Sequence, residues 1–287
     1  MSREKLALRG GVALGLLPLA IEGRSDPHAA VVRAAVEADI CLLDTADVYG
    51  VPGDLPGYAE EIIALALADL PAGRRPAVAT KGGMVRTAGG DRRPDGRPEH
   101  LRRACEQSLR RLAVAAIDLY QLHQPDPRVP YGDSIGALRD LLDAGTVRAV
   151  GVSNVTVDQV RVAQSVLGPG LRSVQNRFSV DVRDEAGVLA YCLRQGLAFL
   201  AWAPLGGAGR AATLLQRAPA LGRVAARHGV SPHRVALAWV CAQGHGVIPV
   251  VGARTVRHVR DAAAAAGLEL TAEDLTALDA SDSGTQA

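Results

Sequence analysis

This chain predicts an α/β fold, a single (β/α)8 barrel, on three observations. Short apolar runs rich in β-branched residues alternate with amphipathic stretches of helical length, eight times over. Eight such units in 287 residues average about 36 residues each, near the ~250-residue pattern of a barrel with insertions. No G-x-G-x-x-G follows the first strand, as it would in a doubly wound dinucleotide-binding sheet, the competing architecture.

In chain order the strands are GVALGLLPL (11–19), DICLLD (39–44), PAVATK (76–81), AIDLYQLH (116–123), VRAVGVS (147–153), RSVQNR (172–177), LAFLAWAP (197–204) and GVIPVVG (246–252). Helices begin near His28, Tyr58, Pro98, Asp133, Thr156, Asp184, Ala218 and Thr255. Thr156-Val157-Asp158-Gln159 is a capping box, and Ser231-Pro232 sets proline just inside a helix start. No Ser- or Pro-rich linker interrupts the chain, so 1–287 reads as one domain. Its catalytic-face loops fall at 45–58, 82–98, 124–133 and 204–217. The segment 84–98, rich in Gly, Pro and Arg, reads as the most irregular.

Composition narrows the class further. With 48% hydrophobic and 22% charged residues there is material for a core, which excludes disorder and a disulfide-stapled miniature. Lys and Arg total 32 against 30 Asp and Glu, so no basic footprint for nucleic acid or polybasic membrane anchor stands out. Cys41, Cys105, Cys192 and Cys241 lie far apart among apolar neighbours and read as buried, reduced thiols. The N-terminus lacks a signal-peptide pattern and no apolar run reaches membrane length, so a cytoplasmic location is expected. Aromatics are only 3% of the chain, so each one left at a strand end carries information.

A barrel enzyme works from the C-terminal ends of its strands. There the chain places Asp44 and Tyr49 after strand two, Lys81 after strand three, His123 after strand four, Ser153-Asn154 after strand five and Gln175-Asn176 on strand six. Singly, each has a structural reading: a solvated lysine, a hydrogen-bonded histidine, a packing tyrosine, a turn-capping aspartate. An acid, a phenol, an amine and an imidazole at three consecutive strand ends is a poor bet for coincidence.

With DTADVYG, ATKGG, DLYQLH, GVSN, VQN and AWAPLGG in this order, the chain resembles the aldo-keto reductases from about residue 12 to 266. The resemblance implies a (β/α)8 barrel that reduces aldehydes or ketones with NADPH, NADH being possible, and no metal. It implies Tyr49 as the general acid, Lys81 beside its phenol, Asp44 holding the lysine, and His123 orienting the carbonyl. The proximity of an ammonium is expected to lower the Tyr49 pKa. On the cofactor side it implies Ser153, Asn154 and Gln175 at the carboxamide, Trp202 stacked on the nicotinamide, and Leu205, Gly206 and Gly207 approaching the pyrophosphate through backbone N–H groups. Arg254 and His258, at a helix start, resemble the 2′-phosphate contacts; the other reading makes them surface cations. Ala262, Ala253, His258 and Leu17 depart from residues common in the family. The spacing around ATKGG and RPEHLRRACEQSLRRL is similar to bacterial members near the pyridoxal reductases. The short stretch after strand eight leaves substrate selection to the loops at 50–58, 84–98 and 124–133.

The expected partner is a small-molecule carbonyl compound; oligomeric state is left unassigned. Arg86, Arg92, Arg93 and Arg97 make 84–98 basic, suiting a carboxylated or phosphorylated aldehyde or, equally, a solvated loop. Two readings from other classes compete: a metal-dependent barrel hydrolase built on Asp44, Asp47 and His123, and a cofactor-sensing binding protein with little turnover. A third, within enzymes, is the reduction of nucleotide-linked keto-sugars.

Overall fold

Each run predicted as a strand pairs with its predicted neighbours. The computed structural model describes residues 8, 10–23, 25, 27–51, 56–87, 90–207 and 209–280, so the N-terminal pattern lies mostly outside the described residues. Its strands are β1 (Ala13–Gly15), β2 (Leu42–Asp44), β3 (Ala77–Gly82), β4 (Met84–Arg86), β5 (Arg92–Pro94), β6 (Leu119–Leu122), β7 (Val150–Ser153), β8 (Leu171–Arg177), β9 (Ala198–Trp202) and β10 (Val247–Gly252). Eight of them form a closed parallel barrel in the order β1-β2-β3-β6-β7-β8-β9-β10, and Ala13 opposite Val250 closes it. The fold is a (β/α)8 barrel of one domain.

The period of two along each strand sorts residues between the two faces of the barrel wall. Ala13, Leu42, Ala79, Leu119, Ala149, Leu200, Ile248 and Val250 form one small core within the barrel. The alternate residues join a larger core beneath the helices, where the Phe178 and Trp239 rings stack with centroids 5.6 Å apart. Helix starts fall within two residues of those predicted. The Thr156 capping box forms with Gln159, and Ser231 Oγ accepts the Arg234 N–H. Among the described residues, no helix is long and apolar enough to cross a membrane.

Two predicted elements differ. The first strand stops at Gly15, and Leu17–Ile21 is a short helix with Pro18 in its first turn, where a missing N–H is harmless. The loop after β3 is not irregular throughout: β4 and β5 form an antiparallel hairpin with Arg86 opposite Arg92. Side-chain to backbone bonds tie it to the turn after β2, where Arg86 Nε donates to Val48 O at 2.9 Å and Nη2 to Gly50 O. The four thiols are free; Cys105 and Cys192 are buried, Cys41 and Cys241 half-buried. Burial raises all of them, Cys41 to about 11 and the others to about 12.

Candidate active site

Continuing each inner-face alternation by two residues toward the C-terminal end turns an apolar layer into a polar one. Leu42 is followed by Asp44, Ala79 by Lys81, and Leu119 by Gln121 and then His123. Ser173 and Gln175 continue the layer on β8. Lys81, 1% exposed, donates to Asp44 Oδ2 at 2.7 Å and to Thr45 O at 2.9 Å. An ammonium has three donors, so one is left. The other carboxylate oxygen of Asp44 accepts from Gln175 Nε2 at 2.9 Å and from Gln121 Nε2 at 3.3 Å. Gly151 makes room for this network: a Cβ there would stand 2.9 Å from the Gln121 side chain and closer still to Ser173 Oγ.

Tyr49 and His123 lie beside this pair. Their rings meet edge to face, centroids 5.8 Å apart, and Lys81 Nζ is 5.7 Å from the Tyr49 centroid. The Arg92 guanidinium, carried in by β5, is 5.6 Å from the same centroid. Burial pushes the Tyr49 phenol up, and Asp44 adds to this; Lys81 and Arg92 oppose it without prevailing. The expected lowering of Tyr49 is therefore corrected: desolvation of the phenolate outweighs the neighbouring ammonium. Burial alone would depress Lys81, but Asp44 and Tyr49 hold its pKa above the ordinary lysine value. Burial, then Lys81 and Arg92, hold His123 well below the ordinary histidine range, so its ring is neutral. Burial and Glu60 raise Asp47 well above the usual carboxylate range.

The predicted cofactor residues converge on the same rim. Asn154 sits in the left-handed region at φ 55°. Its Nδ2 donates to His123 O at 2.9 Å and to Ser153 Oγ at 3.2 Å, and its Oδ1 accepts from Trp202 Nε1 at 3.0 Å. Ser153 Oγ donates to Gln175 O at 2.7 Å. Asn154 thus joins the ends of β6, β7 and β9. After β9, Gly206 and Gly207 take φ 95° and 103°, a left-handed turn that side chains avoid. Amide and hydroxyl groups beside a half-buried indole and a glycine turn are a donor set that fits a nicotinamide dinucleotide.

Three of these residues already have partners within the chain. Gln175, expected at the carboxamide, is 2% exposed and already donates to Asp44. The Gly206 N–H is used within its own turn, donating to Ala203 O at 2.8 Å. Arg254 stands at the start of helix Val256–Ala263, as predicted, but its Nε pairs with Glu22 Oε1 at 2.5 Å. His258 is exposed in that first turn, and Ala262 is buried against the core.

The hydrolase reading lacks its geometry. Among the described residues no group of three or more His, Cys, Asp and Glu is placed to hold a metal, and the Asp44 oxygens are occupied by Lys81, Gln121 and Gln175. Several site residues were passed over in the sequence. Gln121 carried a signal, two residues before His123 on one strand face. Arg177, whose guanidinium lies 5.9 Å from the Trp202 ring centroid, directly follows Gln175-Asn176. Glu22 and the singular position of Arg92 carried none.

Residues 12–283 match the model of the aldo/keto reductase family. The 6-dehydroglucose reductase of Novosphingobium aromaticivorans is 37% identical, over 92% of this chain and 88% of its own. The solved structure of a glycerol dehydrogenase from Gluconobacter oxydans superposes with a TM-score of 0.79 at 30% identity, over 94% of this chain and 90% of that one. An aldo/keto reductase from Klebsiella pneumoniae, solved with NADP and acetate, gives a TM-score of 0.79 at 26% identity, over 96% and 93%.

Proposed function

The chain belongs to the aldo/keto reductase family and is an NAD(P)H-dependent oxidoreductase of carbonyl compounds; from that premise we propose that it reduces a small aldehyde or ketone with NADPH, with Tyr49 as the proton donor. The observation that carries this reading is the buried Lys81–Asp44 pair at 2.7 Å beneath the meeting Tyr49 and His123 rings. When bound, the reduced nicotinamide supplies the hydride.

The residues of this chain do the rest. Charge developing on the carbonyl oxygen needs a donor within about 3 Å, and a phenol whose pKa is held up by burial is fully protonated at neutral pH. Lys81 stabilises the phenolate left behind, favouring proton release only as the reaction proceeds. Asp44 keeps that ammonium charged where burial would neutralise it. His123, neutral in the fold, can hydrogen-bond the carbonyl without bringing a second charge into the site. Ser153 and Asn154 would hold the carboxamide, Gln175 staying on Asp44, and the Trp202 ring would cover one nicotinamide face. The amides near Gly207 would meet the pyrophosphate, while Arg254 and His258 favour the 2′-phosphate of NADPH. The names of the relatives, a dehydroglucose reductase and a glycerol dehydrogenase, put small polyhydroxylated carbonyl compounds first among substrates.

Tyr49→Phe tests the assignment. A positioned general acid contributes about 10²–10⁴-fold, so kcat should fall by that much while NADPH binding, followed by protein fluorescence, is retained. Turnover at the wild-type rate would remove Tyr49 from the mechanism.

A further inference from the structure

Four arginines make the segment after β3 basic, and the structure separates them. Arg86 is held by the carbonyls of Val48 and Gly50. Arg97 forks onto Asp95, with Nε at 2.8 Å and Nη2 at 2.7 Å, and reaches Glu99 at 3.5 Å. Arg93 is exposed and alternates with Arg92 along β5, opposite Val85. Arg92, exposed like Arg93, differs from all three in lying over the ring of Tyr49, and no described carboxylate or carbonyl accepts from it.

That placement has a chemical meaning. A guanidinium over an aromatic ring is held through the ring's negative face, which leaves its N–H edge free to fork onto an oxyanion. Neither carboxyl beside the Tyr49 ring is its partner in an ion pair or hydrogen bond, and each is otherwise engaged or disfavoured as a charge. Asp44 is occupied by Lys81, and burial and Glu60 raise the pKa of Asp47 well above the usual carboxylate range, which disfavours its charged form. His123 is neutral. Among the described residues, the Arg92 guanidinium beside the phenol thus has no ion-pair partner, and it stands on a hairpin anchored through Arg86.

From this geometry we infer that Arg92 is a substrate-binding residue selecting carbonyl compounds with an anionic group, a carboxylate or phosphate, a few bonds from the carbonyl. The inference rests on the reductase reading above and narrows its substrate class. Arg92 would fork onto the anion while Tyr49 and His123 meet the carbonyl oxygen, so the two contacts orient the substrate across the Tyr49 ring.

The test compares kcat/KM within matched pairs: succinic semialdehyde against butanal, and glyceraldehyde 3-phosphate against glyceraldehyde, in wild type, Arg92→Leu, Arg92→Lys and Arg93→Leu. A charge-assisted hydrogen-bonded contact corresponds to about a 10- to 100-fold preference for the anionic member in wild type. Arg92→Leu should bring the ratio near one. Arg92→Lys should keep part of it, because a lysine supplies the charge without the fork. Arg93→Leu should leave it as in wild type. The pair with the larger wild-type ratio tells carboxylate from phosphate. A wild-type ratio near one, a ratio surviving in Arg92→Leu, or an equal fall in Arg93→Leu overturns the proposal. If no aldehyde is turned over, the reductase reading itself fails. The anion site is then judged by calorimetric titration of the NADP⁺-bound protein with succinate. Saturable binding lost in Arg92→Leu upholds it, and its absence in wild type overturns it.

Discussion

Replacing Asp44 by asparagine tests whether the buried pair is a coupled unit. The change keeps the shape of the side chain but removes the charge that Lys81 Nζ meets at 2.7 Å, in a place where Lys81 is 1% and Asp44 4% exposed. It also sets an amide against two other amide donors, since Gln175 Nε2 at 2.9 Å and Gln121 Nε2 at 3.3 Å both point at Asp44 Oδ1. Whichever way that amide is turned, its NH2 faces either the two glutamine nitrogens or Lys81 Nζ, donor against donor. Removing one partner of a buried ion pair costs about 3–5 kcal/mol. At about 2 °C per kcal/mol for a chain of this size, the melting temperature should fall by about 6–10 °C near pH 7. Without Asp44, burial dominates Lys81 and its pKa falls below the ordinary lysine value, so the penalty should shrink as pH rises and the amine is shed. Adding Lys81→Met should recover most of the loss, because an apolar replacement of both partners leaves no orphaned charge. Thermal unfolding by circular dichroism at pH 6, 7.5 and 9, for both single variants and the double, reads all of this. A loss below about 1 kcal/mol for Asp44→Asn, or additive losses in the double variant, would refute the coupled-pair argument.

Two further outcomes follow from other charges. Glu22 competes with any phosphate for Arg254 through a half-exposed ion pair at 2.5 Å, a contact worth about 0–1 kcal/mol; Glu22→Gln should tighten NADPH by up to about 5-fold and leave NADH unchanged, and equal tightening of both in a fluorescence titration would exclude the 2′-phosphate role. Burial first and Glu60 second raise the Asp47 pKa well above the usual carboxylate range in the fold, whereas in the unfolded chain it ionises above about pH 4. Its contribution to stability is therefore full at acid pH and is lost as pH rises toward the raised folded value. Asp47→Asn, which resembles the protonated acid, should raise the melting temperature relative to wild type more at pH 8 than at pH 5, and a pH-independent difference would contradict the assignment.

The barrel and most of the candidate site were legible because both depend on local periodicity. Strand and helix lengths are set by runs of a few residues, and the alternation Leu42–Asp44, Ala79–Lys81, Leu119–Gln121–His123 sends polar groups to one rim once the strands lie parallel. Closure of the barrel then gathers residues that are far apart in the chain. The first strand was overextended because Leu16–Leu19 is as apolar as a strand, and only Pro18 hinted at the helix.

By itself, then, the sequence determined the (β/α)8 architecture, the placing of Asp44, Tyr49, Lys81 and His123 at one rim, and the convergence of Ser153 and Asn154 with Trp202. The tertiary structure decided who holds whom. Gln175 reaches Asp44 across 131 residues, Glu22 reaches Arg254 from the other side of the barrel seam, and a hairpin lays Arg92 on Tyr49. It also decided the direction in which Tyr49 shifts. Such contacts follow from barrel register, from the placement of one hairpin and from how completely water is excluded, and these are properties of the assembled chain that no local run of residues encodes.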